Sequence, residues 1–310
     1  MNHLKAIVEH IAFIANPVEQ FSFNIGNSKV QLYSRHENLH LEIVGRKTIQ
    51  KLQDLFFDIN SLLFVYLGSS PKLSELIENG LSVDISQFSG KYIPSKLFYK
   101  KEAVICPINN KTLNAGILKR YICSNVMPIH SLQFLLSKAY DKIAVDHRIT
   151  LLLHVVDGLV ADNNVKATKN YLCSKYPQRY NQKSIGNYFC SVYYLCQNYF
   201  FNYHRKFACK ILSLLKTTKL QFVQISADTR NWYSHFLGEK TKPNRLKTGE
   251  EMLIWFDILH YAIRLMVVSQ LDLSIDQNII KEYYYILHDW ILTIKHDNDN
   301  DLKSNVYKNK

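Results

Sequence analysis

Residues 31–44, QLYSRHENLHLEIV, decide how the amino-terminal part is read: Leu39, Leu41 and Ile43 alternate with polar residues after a Glu37-Asn38 turn signal. Period-two alternation behind a turn is the pattern of a half-buried strand. Short strands are expected again at 81–85 and 103–108. Between these strand signals, residues 48–67 set Ile49, Leu52, Leu55, Phe56, Ile59, Leu63 and Tyr66 at helical spacing and stop before Gly68 and Pro71. The first third of the chain therefore reads as α+β.

From about Leu132 the period changes. Long helical patterns are broken by Pro, Gly or polar clusters, which predicts helices over 132–160, 184–201, 204–215, 221–236, 249–271 and 275–295. Two starts carry the capping-box pattern, in which a hydroxyl and a Glu or Gln satisfy each other's backbone N–H groups: Thr248 with Glu251, and Ser274 with Gln277. The expected organisation is a strand-rich α+β sensing or regulatory domain over 1–131, an all-α bundle over 132–297 and a polar flexible tail over 298–310.

The 310 residues are 47% hydrophobic and 21% charged, with 10 Gly and 7 Pro, which excludes collagen-like, low-complexity and wholly disordered classes. The apolar run near 151–156 is interrupted by His154 and Asp157, short of the roughly 20 residues of a membrane span, so no membrane partner is expected. The opening MNHLKAIVEH lacks the uninterrupted apolar run of an export signal, and a cytoplasmic protein is expected. Cys106, Cys123, Cys173, Cys190, Cys196 and Cys209 form no C-x-x-C pair and read as reduced core residues. The balance of 38 basic against 26 acidic residues, +12 overall with a pI near 9.2, favours a polyanionic partner such as nucleic acid.

The chemistry concentrates in residues 228–235, DTRNWYSH. Arg230 offers a permanently charged planar fork for a phosphate, and His235 can take or give a proton near neutral pH. An Arg followed by His at such spacing is weak evidence by itself. With nine Arg and 12 His in the chain, about one chance match is expected, and Arg35–His40 and Arg148–His154 also fit. Requiring Asn directly after the Arg, with His four residues beyond it, lowers the chance expectation to about three in a hundred and leaves Arg230 alone. The Arg35–His40 match falls in the strand region, and Arg148–His154 in an apolar helix with no adjoining loop. On a straight helix Asn231 and His235 share a face, whereas Arg230 and His235 stand about 140° apart. Either the helix ends near this segment or a second copy of the chain completes the site. Two His from two chains would supply the base and the acid for cutting RNA through its 2′-hydroxyl. Lys240, Lys242, Arg245 and Lys247 follow closely and are candidates to track an RNA backbone.

This Arg230-Asn231-x-x-x-His235 segment within a helical bundle resembles the signature of HEPN-domain ribonucleases. The helix Leu151-Leu152-Leu153-His154-Val155-Val156-Asp157-Gly158-Leu159 and the Glu250-Glu251-Met252-Leu253 opening of a long apolar helix resemble the ApeA-like HEPN family over roughly residues 134–290. The family helix often carries Glu where this chain has Asp157. The resemblance implies an α+β domain followed by a HEPN-like bundle, and a homodimer with a composite active site. It implies metal-independent endoribonuclease activity on single-stranded or transfer RNA without a cofactor, leaving a 2′,3′-cyclic phosphate. It also implies a toxin-like effector of antiviral defence, set off by a phage-derived or protein trigger at the amino-terminal domain. In that scheme Arg230 binds the scissile phosphate, Asn231 orients the site and His235 transfers a proton.

Other readings stand beside these. Trp232 and Tyr233 suit core or dimer packing as well as base stacking, and Tyr283, Tyr284 and Tyr285 suit the edge of a helical core. His36 and His40 would be metal-ligand neighbours on a helix, but their strand context and the lack of a third ligand argue against it, and no metal is expected. A catalytically silent RNA- or protein-binding dimerisation module is the alternative function.

Overall fold

The computed structural model describes residues 1–9, 17–70, 72–88, 104–135, 144–235, 242 and 244–308. A six-stranded antiparallel sheet followed by a mostly helical region gives an α+β chain with a helical carboxy-terminal part, as the change of period predicts. The chain divides into two units, Met1–Lys142 with Arg264–Asp276, and Ile143–Ile263 with Gln277–Lys310. The pattern placed one boundary at 131/132; a return of residues 264–276 to the first unit leaves no mark on a helical period.

In the first unit the strands are β1 (Asn2–Glu9), β2 (Phe21–Ile25), β3 (Ser28–Arg35), β4 (Asn38–Gly45), β5 (Lys72–Glu78) and β6 (Leu81–Ser82), in the order β2-β3-β4-β1-β5-β6. The stretch 31–44 is therefore a hairpin, not one strand. Its turn lies at His36-Glu37, one residue before the predicted position, with His36 at φ 55°, a left-handed conformation that His adopts more readily than most side chains. Leu39, Leu41 and Ile43 do line the buried face, at 1% exposure or less. The predicted strand at 81–85 shrinks to Leu81–Ser82 and is followed by a 3₁₀ turn, Ile85–Phe88. Residues 104–108 form no strand, and Ala103 lies outside the described residues. His40 stacks on its cross-strand partner Tyr33 with centroids 5.0 Å apart, which is where its burial is used.

Helix α1 (Ile49–Leu67) buries nearly every residue from Leu52 onward, leaving Asp54 and Asp58 as breaks. A helix apolar almost all round is a core helix. It packs on β1 and β4 and on helices α2 (Ala115–Ser124) and α3 (Val126–Leu135). Gly68 ends it at φ 81°, its N–H donating to the Phe64 carbonyl. The orphaned last-turn carbonyls are met by Arg264, which is 1% exposed: Nε donates to Val65 O at 2.8 Å and Nη2 to Tyr66 O at 3.0 Å.

The second unit contains α4 (Val145–Leu159), α5 (Asp162–Lys175), α6 (Asn187–Cys196), α7 (Arg205–Leu214), α8 (Lys219–His235), the first part of α9 (Gly249–Gln270) and α10 (Gln277–Lys308). The single helix predicted over 132–160 is thus two described helices, α3 and α4, with 136–143 outside the described residues. Helix α5 escapes the pattern because only Val165, Thr168 and Leu172 of its 14 residues are buried. Helix α6 runs into a π turn, Gln197–Phe201, and the Phe200 carbonyl in this turn accepts the buried Tyr284 hydroxyl. The Thr248–Glu251 box forms: Glu251 N–H donates to Thr248 Oγ1 at 3.2 Å and Thr248 N–H to Glu251 Oε2 at 3.3 Å. A further box, Thr218 with Gln221, opens α8. Helix α10 continues through most of the expected flexible tail to Lys308, since no Gly or Pro interrupts 277–308 and propagation adds one hydrogen bond per residue.

Two compositional expectations change. All six cysteines are free, but only Cys106, Cys190 and Cys196 are buried; Cys123 and Cys209 are exposed and Cys173 half-buried, so they are not all core residues. Among the described residues, the helix that has the length and apolarity of a membrane span is α9, not 151–156, and 83% of its apolar window is buried inside the protein.

Candidate functional site

Helices α4, α6 and α8 pack against one another, and the residues singled out by the sequence sit at the carboxy-terminal end of α8. Thr229 fixes this end in two ways. Its Oγ1 donates back to Ile225 O at 2.7 Å and accepts Leu246 N–H at 2.9 Å, which seats the returning chain on the helix.

Arg230 is half-buried. Its guanidinium carbon lies 4.8 Å from the centroid of the Tyr188 ring on α6, a cation–π contact, and Nη1 donates to Asn231 Oδ1 at 3.2 Å. Two polar atoms here are buried without a partner among the described residues, Arg230 Nε and the Tyr188 hydroxyl. Buried donors left open in this way are costly, and an anion carrying acceptor oxygens would satisfy them. Burial pushes the Tyr188 phenol up; Arg230 opposes and Asp157 reinforces that shift. His235 is the last residue of α8 and is exposed.

A second histidine joins them. His154 on α4 is solvent-accessible, and its Nε2 lies 3.2 Å from Ser234 Oγ on α8. Its pKa is held below 6.5 by desolvation first, then by Arg230, with His235 adding a smaller push and Asp157 pulling the other way. Asp157, one turn along α4, accepts the Ser191 hydroxyl of α6 at 3.1 Å. The expectation that the Arg148–His154 match has no access to substrate is therefore corrected for His154. Among the described residues, His154 is exposed on its helix. Tyr188 had no local sequence signal, and His154 and Asp157 stood out only in the helix 151–159, with nothing local to join them to Arg230; packing brings the three together.

The four expected RNA-binding residues fare differently. Lys240 lies outside the described residues. Lys242 Nζ pairs with Asp228 Oδ1 at 3.3 Å, and the Arg245 guanidinium carbon lies 4.1 Å from the Trp232 ring centroid. Both help hold the loop on α8. Lys247 is exposed. Trp232 therefore has one face covered by Arg245 and its edge against Tyr233, at 4.7 Å between centroids. In the Tyr283–Tyr285 run, Tyr284 is fully buried while Tyr285 is 46% exposed. Among the described residues, no group of three or more His, Cys, Asp or Glu side chains is placed to hold a metal ion.

Comparison with protein-family models, curated proteins and solved structures finds no match to the chain.

Proposed function

We propose that the helical unit is a metal-independent endoribonuclease of HEPN type, an antiviral defence effector that cuts RNA by attack of a 2′-hydroxyl on the neighbouring phosphorus. The observation that carries this reading is the meeting of Arg230, Tyr188, His154 and His235 at one end of α8, with open donors on the first two. In the reaction, one imidazole takes the 2′-hydroxyl proton while the oxygen forms a bond to phosphorus. The bond to the 5′-oxygen breaks, and a second imidazole supplies that oxygen's proton, leaving a 2′,3′-cyclic phosphate and a 5′-hydroxyl. His154, kept neutral near pH 7, suits the base, and His235 the acid. Arg230 and the Tyr188 hydroxyl would hold the non-bridging oxygens as charge builds on them. With two histidines on one chain, the proton relay need not draw on a second subunit, although a homodimer remains part of the proposal.

The test is cleavage of single-stranded or transfer RNA by the whole chain in the presence of a chelator, with the cut ends mapped. Arg230→Ala and His235→Ala should each lower the rate by about 10²–10⁴-fold while circular dichroism stays unchanged. Cutting that persists at the wild-type rate in both variants moves the chemistry elsewhere. No cutting by the wild type, with RNA still retained, favours the silent binding module instead.

A further inference from the structure

Helix α8 has a second polar locus at its other end, roughly 24 Å from His235 for 17 residues at 1.5 Å rise. A cavity of about 270 Å³ opens there between the end of α5, the π turn after α6, the start of α7 and the first turn of α8. Three cations, Lys175, Arg205 and Lys219, line it together with Tyr171, Tyr176 and Tyr193, and no carboxylate is among its lining residues. Like charges gathered without a counter-ion repel one another. Lys219 registers the crowding: its ammonium is pushed down by desolvation first, with Cys209 opposing and Arg205 and Lys175 adding to the shift. The amides of Lys219 and Leu220 belong to the first helical turn, where N–H groups have no partner carbonyl in the helix and the dipole favours an anion.

The aromatic side of the cavity is equally specific. Tyr171 is 46% exposed and tilted 37° to Tyr193 at 6.4 Å, so part of its ring surface is open. Lys175 holds the Tyr171 hydroxyl at 2.5 Å and lies over both the Tyr171 and Tyr176 rings, at 5.1 and 5.6 Å, which fixes the tyrosines relative to the charge. A π turn borders the cavity through Gln197, a helix irregularity that recurs at functional sites.

We propose that this cavity binds a nucleotide phosphate, the phosphoryl oxygens meeting Lys175, Arg205 and Lys219 and the base stacking on Tyr171. The two sources of that chemistry are a free nucleotide and a residue of an RNA strand. Calorimetric titration of the whole chain with ATP, AMP, inorganic phosphate and a short 2′-O-methyl oligoribonucleotide, which cannot be cut through its 2′-oxygen, tests it. ATP should bind saturably and more tightly than inorganic phosphate. The double variant Arg205→Gln/Lys219→Gln, at positions with solvent-accessible side chains, should weaken ATP at least tenfold. Tyr171→Ala should weaken ATP several-fold while leaving inorganic phosphate unchanged, and the loss in the double variant should be just as large in an Arg230→Ala background. Competition between the oligoribonucleotide and ATP identifies a strand-binding site; ATP binding without competition identifies a free nucleotide. The proposal is overturned by no saturable ATP or AMP binding at millimolar concentration, by wild-type affinity in the double variant, or by ATP binding that depends on Arg230 instead.

Discussion

At the scale of single residues, His154 ties acidity to stability and, in the proposed function, to chemistry. Because desolvation and the Arg230 charge keep its folded-state pKa below 6.5, the unfolded chain binds this proton more readily between that value and 6.5. Stability from keeping the imidazole neutral is therefore fully present above 6.5 and is lost as pH falls through that window. His40 adds the same sign in the first unit: burial leads, Lys5 and Arg35 reinforce, and Glu42 opposes. If His154 is the base, the acid limb of kcat/KM must bend below 6.5, and His154→Asn should remove that limb and lower the rate about 10²–10⁴-fold. Rates across pH 4.5–8 in the two proteins decide it; an unchanged acid limb in the variant makes His154 a bystander. Arg230, Asn231 and His235 were open to proposal from the sequence because their spacing is local. His154 was not, since its contact with Ser234 spans 80 residues and belongs to the packing of α4 on α8.

Helix ends decide most of what the period alone leaves open. The boxes at Thr218 and Thr248 and the Asn114 cap of α2, whose side chain accepts from Gly116 and Ile117 N–H, fix three helix starts. Thr248→Ala should cost about 0.5–2 kcal/mol in urea unfolding. Gly68 is the more demanding position. A Cβ there would lie 2.6 Å from Arg264 Nη1, and the residue already needs φ 81°. Gly68→Ala should therefore cost at least about 1–3 kcal/mol, and near-wild-type stability would mean that Arg264 moves aside freely. The helices of the second unit were largely legible because a 3.6 period survives tertiary packing. Helix α5 was not, because its buried strip is only Val165, Thr168 and Leu172, and α10 was cut short because propagation past Lys295 has no apolar signature. The inner strand β1 shows the same limit: Leu4, Ala6 and Val8 alternate, yet pairing with both β4 and β5 is a long-range choice that no local pattern encodes.

For the whole molecule the consequential feature is that the first unit is not one continuous stretch of sequence. It needs Arg264–Asp276, which follow in the chain only after residues 143–263 of the second unit. Arg264 supplies the donors for the last carbonyls of α1, and Arg120 Nη2 on α2 donates to Leu271 O at 2.8 Å. A fragment ending at residue 142 loses both sets of bonds, leaving the buried Val65 carbonyl open at about 1–3 kcal/mol while Tyr66 O keeps only the Ile105 N–H at 2.8 Å, on top of the apolar surface that 264–276 covers. Since a domain is stable by only about 5–15 kcal/mol, this fragment should not unfold cooperatively. In the whole chain, Arg264→Leu should lower the urea midpoint, and the RNA cutting proposed for the helical unit should persist below the transition. Urea titration of fragment 1–142, followed by circular dichroism, is the check: a sharp transition with a slope suited to its size would mean that the returning segment is dispensable. That outcome would also restore the simple boundary drawn from the sequence, where the amino-terminal part could be removed by a single cut.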